Sequence, residues 1–244
     1  MPTAYALQHI ESEEMGHTEE WLRQNNYDIY RVRLYQGDEL PDPKKVDYVI
    51  GLGGPMSVNG TAEYPWLTKE IDFLRAVLQR PIPVLGICLG AQLLAKAKYA
   101  SIVKAQEQEI GWYPIQSYKN TRRAIPGFSF PDTMTVLHWH GETFELPKDS
   151  TLLASSEACT NQAFVLKPYQ VGLQFHLEAD LDSVRTMLEH SQGEMANTGP
   201  YTQSSQSLLA KTEEFGPEAK TVLFDLMTAM RDAADRQAKA SNVA

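Results

Sequence analysis

The stretch Pro83-Val-Leu-Gly-Ile-Cys-Leu-Gly-Ala-Gln-Leu-Leu-Ala95 decides the architecture of this 244-residue chain. Val84 to Ile87 is short, apolar and β-prone, and reads as a buried strand. Leu89 to Lys98 carries Leu and Ala at helical spacing with no breaker, and reads as a helix. Between them, Gly86-Ile-Cys-Leu-Gly90 is a G-x-nucleophile-x-G turn with cysteine at its centre. A strand that reverses sharply into a helix forces its central residue into strained backbone angles, and side chains at the flanking positions would clash. The turn therefore lifts the Cys88 sulfur to a helix N-terminus, where unpaired N–H groups and the helix dipole favour thiolate over thiol. Taken alone, the same pattern is equally that of a small buried core thiol.

Upstream of this turn, Thr3 to Gln8, Tyr27 to Leu34 and Val46 to Gly51 read as strands, with helices over Thr18 to Gln24 and Trp66 to Gln79. Short strands alternating with helices imply right-handed βαβ units and a parallel sheet. Downstream the pattern changes to short β segments: Trp112 to Ser117, Met134 to His138, Thr151 to Ala154, Ala163 to Leu166 and Val171 to Phe175. Asp180 to His190 reads as a helix and residues 191–205 as a Gly/Ser/Gln/Thr-rich loop. Glu218 to Gln237 reads as a long helix on the outside of the sheet, before a frayed end over residues 238–244. No internal repeat or low-complexity tract interrupts this order, and one domain over residues 1–244 with a helical extension from about residue 200 is the expected organisation.

Composition excludes several functional classes. With 43% hydrophobic and 22% charged residues the chain is of the ordinary soluble globular type. A net charge of -9 argues against a nucleic-acid partner and against an anionic membrane surface. The apolar uncharged run between Arg80 and Lys96 is too short to span a bilayer and holds two prolines and two glycines. The N-terminus carries no basic segment, so no signal peptide is expected. Cys88 and Cys159, the only cysteines, support no disulfide framework and suit a reducing cytoplasm. No metal-ligand spacing stands out, and neither a metal nor a cofactor is expected.

A cysteine nucleophile needs a base, a group that orients the base, and donors for the oxyanion. Of six histidines, His176 directly follows the apolar Val171-Gly-Leu-Gln-Phe175, on the strand-end rim where open α/β sheets bind ligands. Glu178 lies two residues on and could hold the imidazole tautomer, although a His-x-Glu pair has no specificity by itself. Gly51-Leu-Gly-Gly-Pro55 ends the third strand and lets backbone N–H groups face a ligand, with the N–H of Leu89 as a second donor. The competing reading of those glycines is a tight turn. In Leu137-His-Trp-His-Gly-Glu-Thr-Phe144, His140 is read as a pocket residue and His138 as structural. Cys159 sits in a polar loop and is read as a bystander.

Together, Gly53-Gly54-Pro55, Gly86-Ile-Cys-Leu-Gly-Ala-Gln92, Trp139-His140-Gly141-Glu142 and Gln174-Phe-His-Leu-Glu178 resemble, in order and spacing, the class I glutamine amidotransferase family. Glu109-Ile-Gly-Trp112 resembles the free-standing branch related to the amidotransferase domain of GMP synthase. The resemblance implies Cys88 as nucleophile, His176 as general base then acid, and Glu178 as its orienter. It implies an oxyanion hole from the N–H groups of Gly54 and Leu89, and substrate contacts from Gly53, Gln92, Trp139 and His140. It also implies an α/β, flavodoxin-like fold: a mainly parallel sheet with helices on both faces. Two positions depart from the family pattern. Leu177 replaces the usual proline of His-Pro-Glu, and the elbow helix ends Lys98-Tyr-Ala100 where a glycine cap is usual.

The implied substrate is glutamine or a γ-glutamyl small molecule. Two enzymatic outcomes stay open: a glutaminase passing ammonia to a separate synthase subunit, or a γ-glutamyl peptide hydrolase. A catalytically silent binding module and a Cys88 redox sensor, with Cys159 as its resolving thiol, are the remaining readings.

Overall fold

The computed structural model describes residues 1–119, 121–191 and 199–241, without the side chains of residues 121 and 122. Its first part follows the expected alternation: β1 (Thr3–Gln8), α1 (His17–Gln24), β2 (Asp28–Arg33), β3 (Tyr48–Gly51), α2 (Trp66–Val77), β4 (Val84–Ile87) and α3 (Leu89–Ala97). β3 and β4 are only four residues each and buried at every position, as strands covered on both faces must be. One packed layer joins α2 and α3 to one face of the sheet, through Leu67, Leu74 and Val77 of α2 and Leu93 and Leu94 of α3. The opposite face packs against α1, through Trp21 and Leu22, and against two later helices, α5 (Leu181–His190) and α6 (Ser205–Ser241).

The remaining elements are β5 (Ile102–Ser117), the single turn α4 (Thr121–Ala124), β6 (Thr133–Phe144), β7 (Thr151–Ser155), β8 (Ala163–Lys167) and β9 (Gln170–Leu173). Among the described residues they complete one nine-stranded sheet in the order β2-β1-β3-β4-β9-β8-β7-β5-β6. Pairing is parallel from β2 to β9 and antiparallel from β9 to β6. The helices cover both faces as expected, but the sheet is mixed rather than mainly parallel. The cause is local: from β5 to β9 the connections are too short for crossover helices, so neighbouring strands run antiparallel.

The expected short strands at Trp112 to Ser117 and Met134 to His138 are parts of a much longer hairpin. β5 and β6 pair from Ile102↔Phe144 to Gln116↔Thr133, with an irregularity between Lys104 and Glu109. The polar run Lys104 to Gln108 conceals the first half of β5 in the sequence, and pairing with β6 holds it extended. α6 begins well before Glu218 and runs through Pro217. A proline inside a helix removes one backbone hydrogen bond, at a cost of about 3 kcal/mol. The N-terminal half of α6 is nonetheless anchored: Thr212 Oγ1 accepts from Trp112 Nε1 at 3.0 Å, and Phe215 packs on the Trp112 ring. The helix also continues to Ser241, past the start of the expected frayed end. Residues 192–198 of the loop expected at residues 191–205 lie outside the described residues. Its last part is ordered against β5, where Gln203 accepts from the Trp112 N–H at 3.2 Å and donates to its carbonyl at 2.9 Å.

Candidate active site

The site forms where the parallel strands end. β4 stops at Ile87, and Cys88 occupies the turn with φ 50° and ψ −109°, a strained conformation for a side chain bearing a Cβ. Gly86 and Gly90 make the turn possible. A Cβ on Gly90 would overlap the carbonyl oxygen of Gly51, and one on Gly86 would lie 2.5 Å from the carbonyl oxygen of Gly90. The Cys88 N–H donates to Leu173 at the end of β9 at 2.7 Å, so the strand that leads to His176 also fixes the turn. Beyond β9 the chain is held by β6, with the His176 N–H donating to the Leu137 carbonyl at 2.8 Å.

His176 and Glu178 are both buried, with the His176 Nδ1 donating to Glu178 Oε1 at 2.6 Å. The N-terminus of α1 secures the acid from below, where the His17 N–H donates to the Glu178 carbonyl at 2.8 Å. The other imidazole nitrogen, Nε2, has no hydrogen-bond partner among the described residues. Burial disfavours the imidazolium, but the Glu178 carboxylate outweighs it and holds His176 well above the ordinary histidine range. Burial pushes the Cys88 thiol up, and the neighbouring His176 pulls it back only in part. The expectation of a thiolate favoured by the helix N-terminus is thus corrected: desolvation of the buried sulfur outweighs the neighbouring imidazole. What the pair provides is a strong proton acceptor beside the thiol.

The remaining expected residues surround the sulfur. Gly54 lies against Leu89, since a Cβ on Gly54 would stand 2.9 Å from Leu89 Cδ2. Leu89 opens α3, where its N–H has no partner within the helix. Gly53 is close to both Glu13 and His176. Trp139 offers its backbone: its carbonyl oxygen accepts from the Cys88 thiol at 3.6 Å. Gln92 borders the cavity, but its amide nitrogen is committed to the Glu142 carbonyl at 3.1 Å and Gln174 Oε1 at 3.2 Å. His140 also borders the cavity, with its ring nitrogens facing Glu109 and the Glu142 carbonyl instead. A cavity of about 560 Å³ opens in front of Cys88, walled by Glu13, Met56, Gln92, Trp139, Glu142 and Met187 among others. Among the described lining residues none is Lys or Arg. His176 and Glu178 line a small recess that shares Ser12, Glu13 and Met187 with the cavity.

Several contributors escaped the sequence reading. Gln174 donates to Cys88 Sγ at 3.7 Å, and its place two residues before His176 in an extended segment was the available signal. His9 and Glu70 form a fully buried pair at 3.0 Å, with the other His9 nitrogen 2.9 Å from the Gly53 carbonyl. They therefore hold the Gly53-Gly54 turn from outside the cavity. They are 61 residues apart, and nothing local in the sequence links them. Cys159 is a free, buried thiol pushed up by burial, bonded to Thr143 at 3.4 Å.

Comparison with known proteins agrees with this geometry. Residues 18–191 match the family described as glutamine amidotransferase class-I. The glutamine amidotransferase-like protein YfeJ of Salmonella typhimurium is 33% identical over 194 residues, covering 78% of this chain and 81% of that protein. Gamma-glutamyl peptidase 3 of Arabidopsis thaliana is 29% identical over 62% of each chain. A glutamine-hydrolysing GMP synthase subunit of Thermoplasma acidophilum is 35% identical over 53% of this chain and 65% of its own. The solved glutamine amidotransferase of Thermotoga maritima superposes with a TM-score of 0.85 at 32% identity, covering 94% of this chain and 98% of the other. A strained cysteine elbow backed by a buried His–Glu pair, on a sheet of this order and with this likeness, makes the chain a member of the class I glutamine amidotransferase family.

Proposed function

We propose that the chain hydrolyses the side-chain amide of glutamine or of a γ-glutamyl compound, through a thioester on Cys88. The observation that carries this reading is the buried alignment of Cys88, His176 and Glu178 beside the Gly54–Leu89 turn. The thiol proton moves to His176 Nε2 as Sγ attacks the γ-carbonyl carbon, and the oxyanion is received by the N–H groups of Gly54 and Leu89. Collapse breaks the C–N bond, His176 returns the proton to the departing nitrogen, and a γ-glutamyl thioester remains. Water, deprotonated by His176, attacks the thioester; the C–S bond breaks, glutamate leaves and the thiol is restored. Glu178 stays ionised throughout and stabilises each imidazolium. The Glu13 and Glu142 carboxylates in the wall suit the α-ammonium group of a glutamyl substrate.

Released ammonia would pass to a separate synthase protein, and the relatives named as glutamine-hydrolysing GMP synthase subunits support that reading. One observation favours γ-glutamyl peptides instead: a cavity of about 560 Å³ is roomy for a single amino acid. Ammonia and glutamate release from glutamine, measured beside a panel of γ-glutamyl peptides, tests both. Turnover of either substrate class that disappears in Cys88→Ala supports the mechanism, and the preferred class selects the reaction. Turnover that survives in Cys88→Ala refutes it.

A further inference from the structure

Next to the cavity, and apart from the Cys88–His176–Glu178 group, the β5–β6 hairpin buries a second cluster of Glu109, His138 and His140. The hydrogen bonds of the two imidazoles settle which nitrogen of each points inward. His138 Nε2 is 3.3 Å from the Tyr113 carbonyl oxygen, and His140 Nδ1 is 3.1 Å from that of Glu142. A carbonyl only accepts, so these outer nitrogens carry the hydrogens. The inner nitrogens, His138 Nδ1 and His140 Nε2, then turn lone pairs toward the Glu109 carboxylate, at 3.9 and 3.1 Å from its oxygens. His138 Nδ1 has no hydrogen-bond partner among the described residues. Gln162 does not resolve this: its amide nitrogen donates to Glu109 at 2.7 Å and to Ser156 at 2.9 Å, and stands 3.4 Å from His140 Nε2. Acceptors facing one another in a dry interior need a cation between them.

We propose that Glu109, His138 and His140 form a binding site for a divalent transition-metal ion of the zinc class. The three candidate ligand atoms lie within 4.8 Å of one another. Around a tetrahedral ion with bonds of about 2.05 Å, neighbouring ligands are about 3.4 Å apart. The imidazole nitrogens of His138 and His140 stand 3.9 and 3.1 Å from Glu109 Oε1 and Oε2 respectively, and the set spans up to 4.8 Å, so the side chains draw inward to close on an ion. Two imidazoles and one carboxylate suit zinc better than magnesium or calcium, which take oxygen ligands. The outer shell is in place: both imidazoles donate to backbone carbonyls, while Ser156 at 2.7 Å and Gln162 hold the carboxylate. His140 borders the cavity, which provides the way in.

The ion's effect on the site follows from Trp139, which lies between the two histidines on β6 and whose carbonyl contacts the nucleophile. Metal bound on both sides of Trp139 stiffens the cavity wall against Cys88 and takes no part in the attack. A proton shared between His140 and Glu109 is the competing occupant.

The test is titration of chelator-treated full-length protein with Zn²⁺ by calorimetry and with Co²⁺ by visible absorption. Expected are about one equivalent bound, a tetrahedral Co²⁺ spectrum without a thiolate charge-transfer band, and the same result in Cys88→Ala. In His138→Gln and Glu109→Gln, checked for folding by circular dichroism, binding weakens at least roughly 100-fold. Absence of binding to the native protein overturns the proposal in favour of the proton. So does a thiolate band lost in Cys88→Ala, which would place the ion on the nucleophile. Binding unchanged in His138→Gln likewise overturns it and assigns the ion to surface groups such as His17 or His190. Should both hairpin variants fail to fold, the native and Cys88→Ala spectra still decide between these outcomes.

Discussion

Replacing Glu178 by Gln isolates the charge of the acid from its shape. His176 Nδ1 and Glu178 Oε1 are 2.6 Å apart with both side chains buried, so the carboxylate acts through little solvent. Glu178 Oε2 has no partner among the described residues, which lets an amide turn its oxygen toward His176 and keep the same tautomer. What is lost is the stabilisation of the imidazolium. Removing one partner of a buried pair outright costs about 3–5 kcal/mol, and trading a charged for a neutral hydrogen-bond partner costs about 1–1.5 kcal/mol. A loss of about 2–3 kcal/mol lies between the two and corresponds to a fall of about 30- to 160-fold in kcat/KM. The pH dependence has a definite sign. Glu178 raises the His176 pKa well above its unfolded value near 6.5, and His176 must be neutral to take the thiol proton, so the acidic limb of the kcat/KM profile moves to lower pH in the variant. The same raised pKa contributes stability that is complete below about pH 6.5 and is lost as pH rises through the folded value. The difference in melting temperature between native and Glu178→Gln protein is therefore largest at low pH and narrows upward. Steady-state kinetics on the best γ-glutamyl substrate is the assay, with the labelling rate of Cys88 by a glutamine-like electrophile as a second readout. A kcat/KM within threefold of native and an unmoved acidic limb would refute the reasoning.

Gly90→Ala drives a methyl group into the Gly51 carbonyl, and overpacking backbone against backbone costs about 3 kcal/mol, or a fall of roughly 6–12 °C in melting temperature. An unchanged melting curve would contradict the close approach of β3 and α3. Glu70→Gln leaves His9 buried without its charge partner, so thermal or urea unfolding should register a loss of about 3–5 kcal/mol at pH 6. His9 is raised above its ordinary pKa, burial opposing and the Glu70 charge prevailing, so this loss shrinks as pH climbs past about 6.5; a loss that grew with pH would refute the pairing. Gln174→Leu removes the acceptor of Gln92 and the donor to Cys88 together, and a roughly tenfold fall in kcat/KM with little change in urea m-value is expected. Equal kinetics in the variant would show that the Gln92–Gln174 brace has no catalytic consequence.

The legible part of this protein is the part encoded over short distances. The Cys88 elbow, the strands before it and the His176-x-Glu178 pair each depend on residues within a few positions of one another, so hydrophobic period and glycine placement expose them. The parallel half of the sheet follows from the same alternation of strand and helix. What stayed hidden rests on partners far apart in the chain. The first half of β5 is too polar to announce itself and is extended because β6 pairs with it, and this hairpin with β7 and β8 makes the sheet mixed rather than mainly parallel. The N-terminal half of α6 survives Pro217 because Trp112, remote in sequence, packs against it. The state of the thiol is likewise a matter of depth: a helix N-terminus favours thiolate from local geometry, whereas burial, which only the assembled fold sets, raises the Cys88 pKa and leaves His176 to take its proton. Primary structure thus names the residues that carry the chemistry, since their spacing is covalent. Their protonation, their braces in His9, Glu70 and Gln174, and the gathering of Glu109, His138 and His140 belong to the folded chain, because desolvation and long-range contact exist only once it has closed.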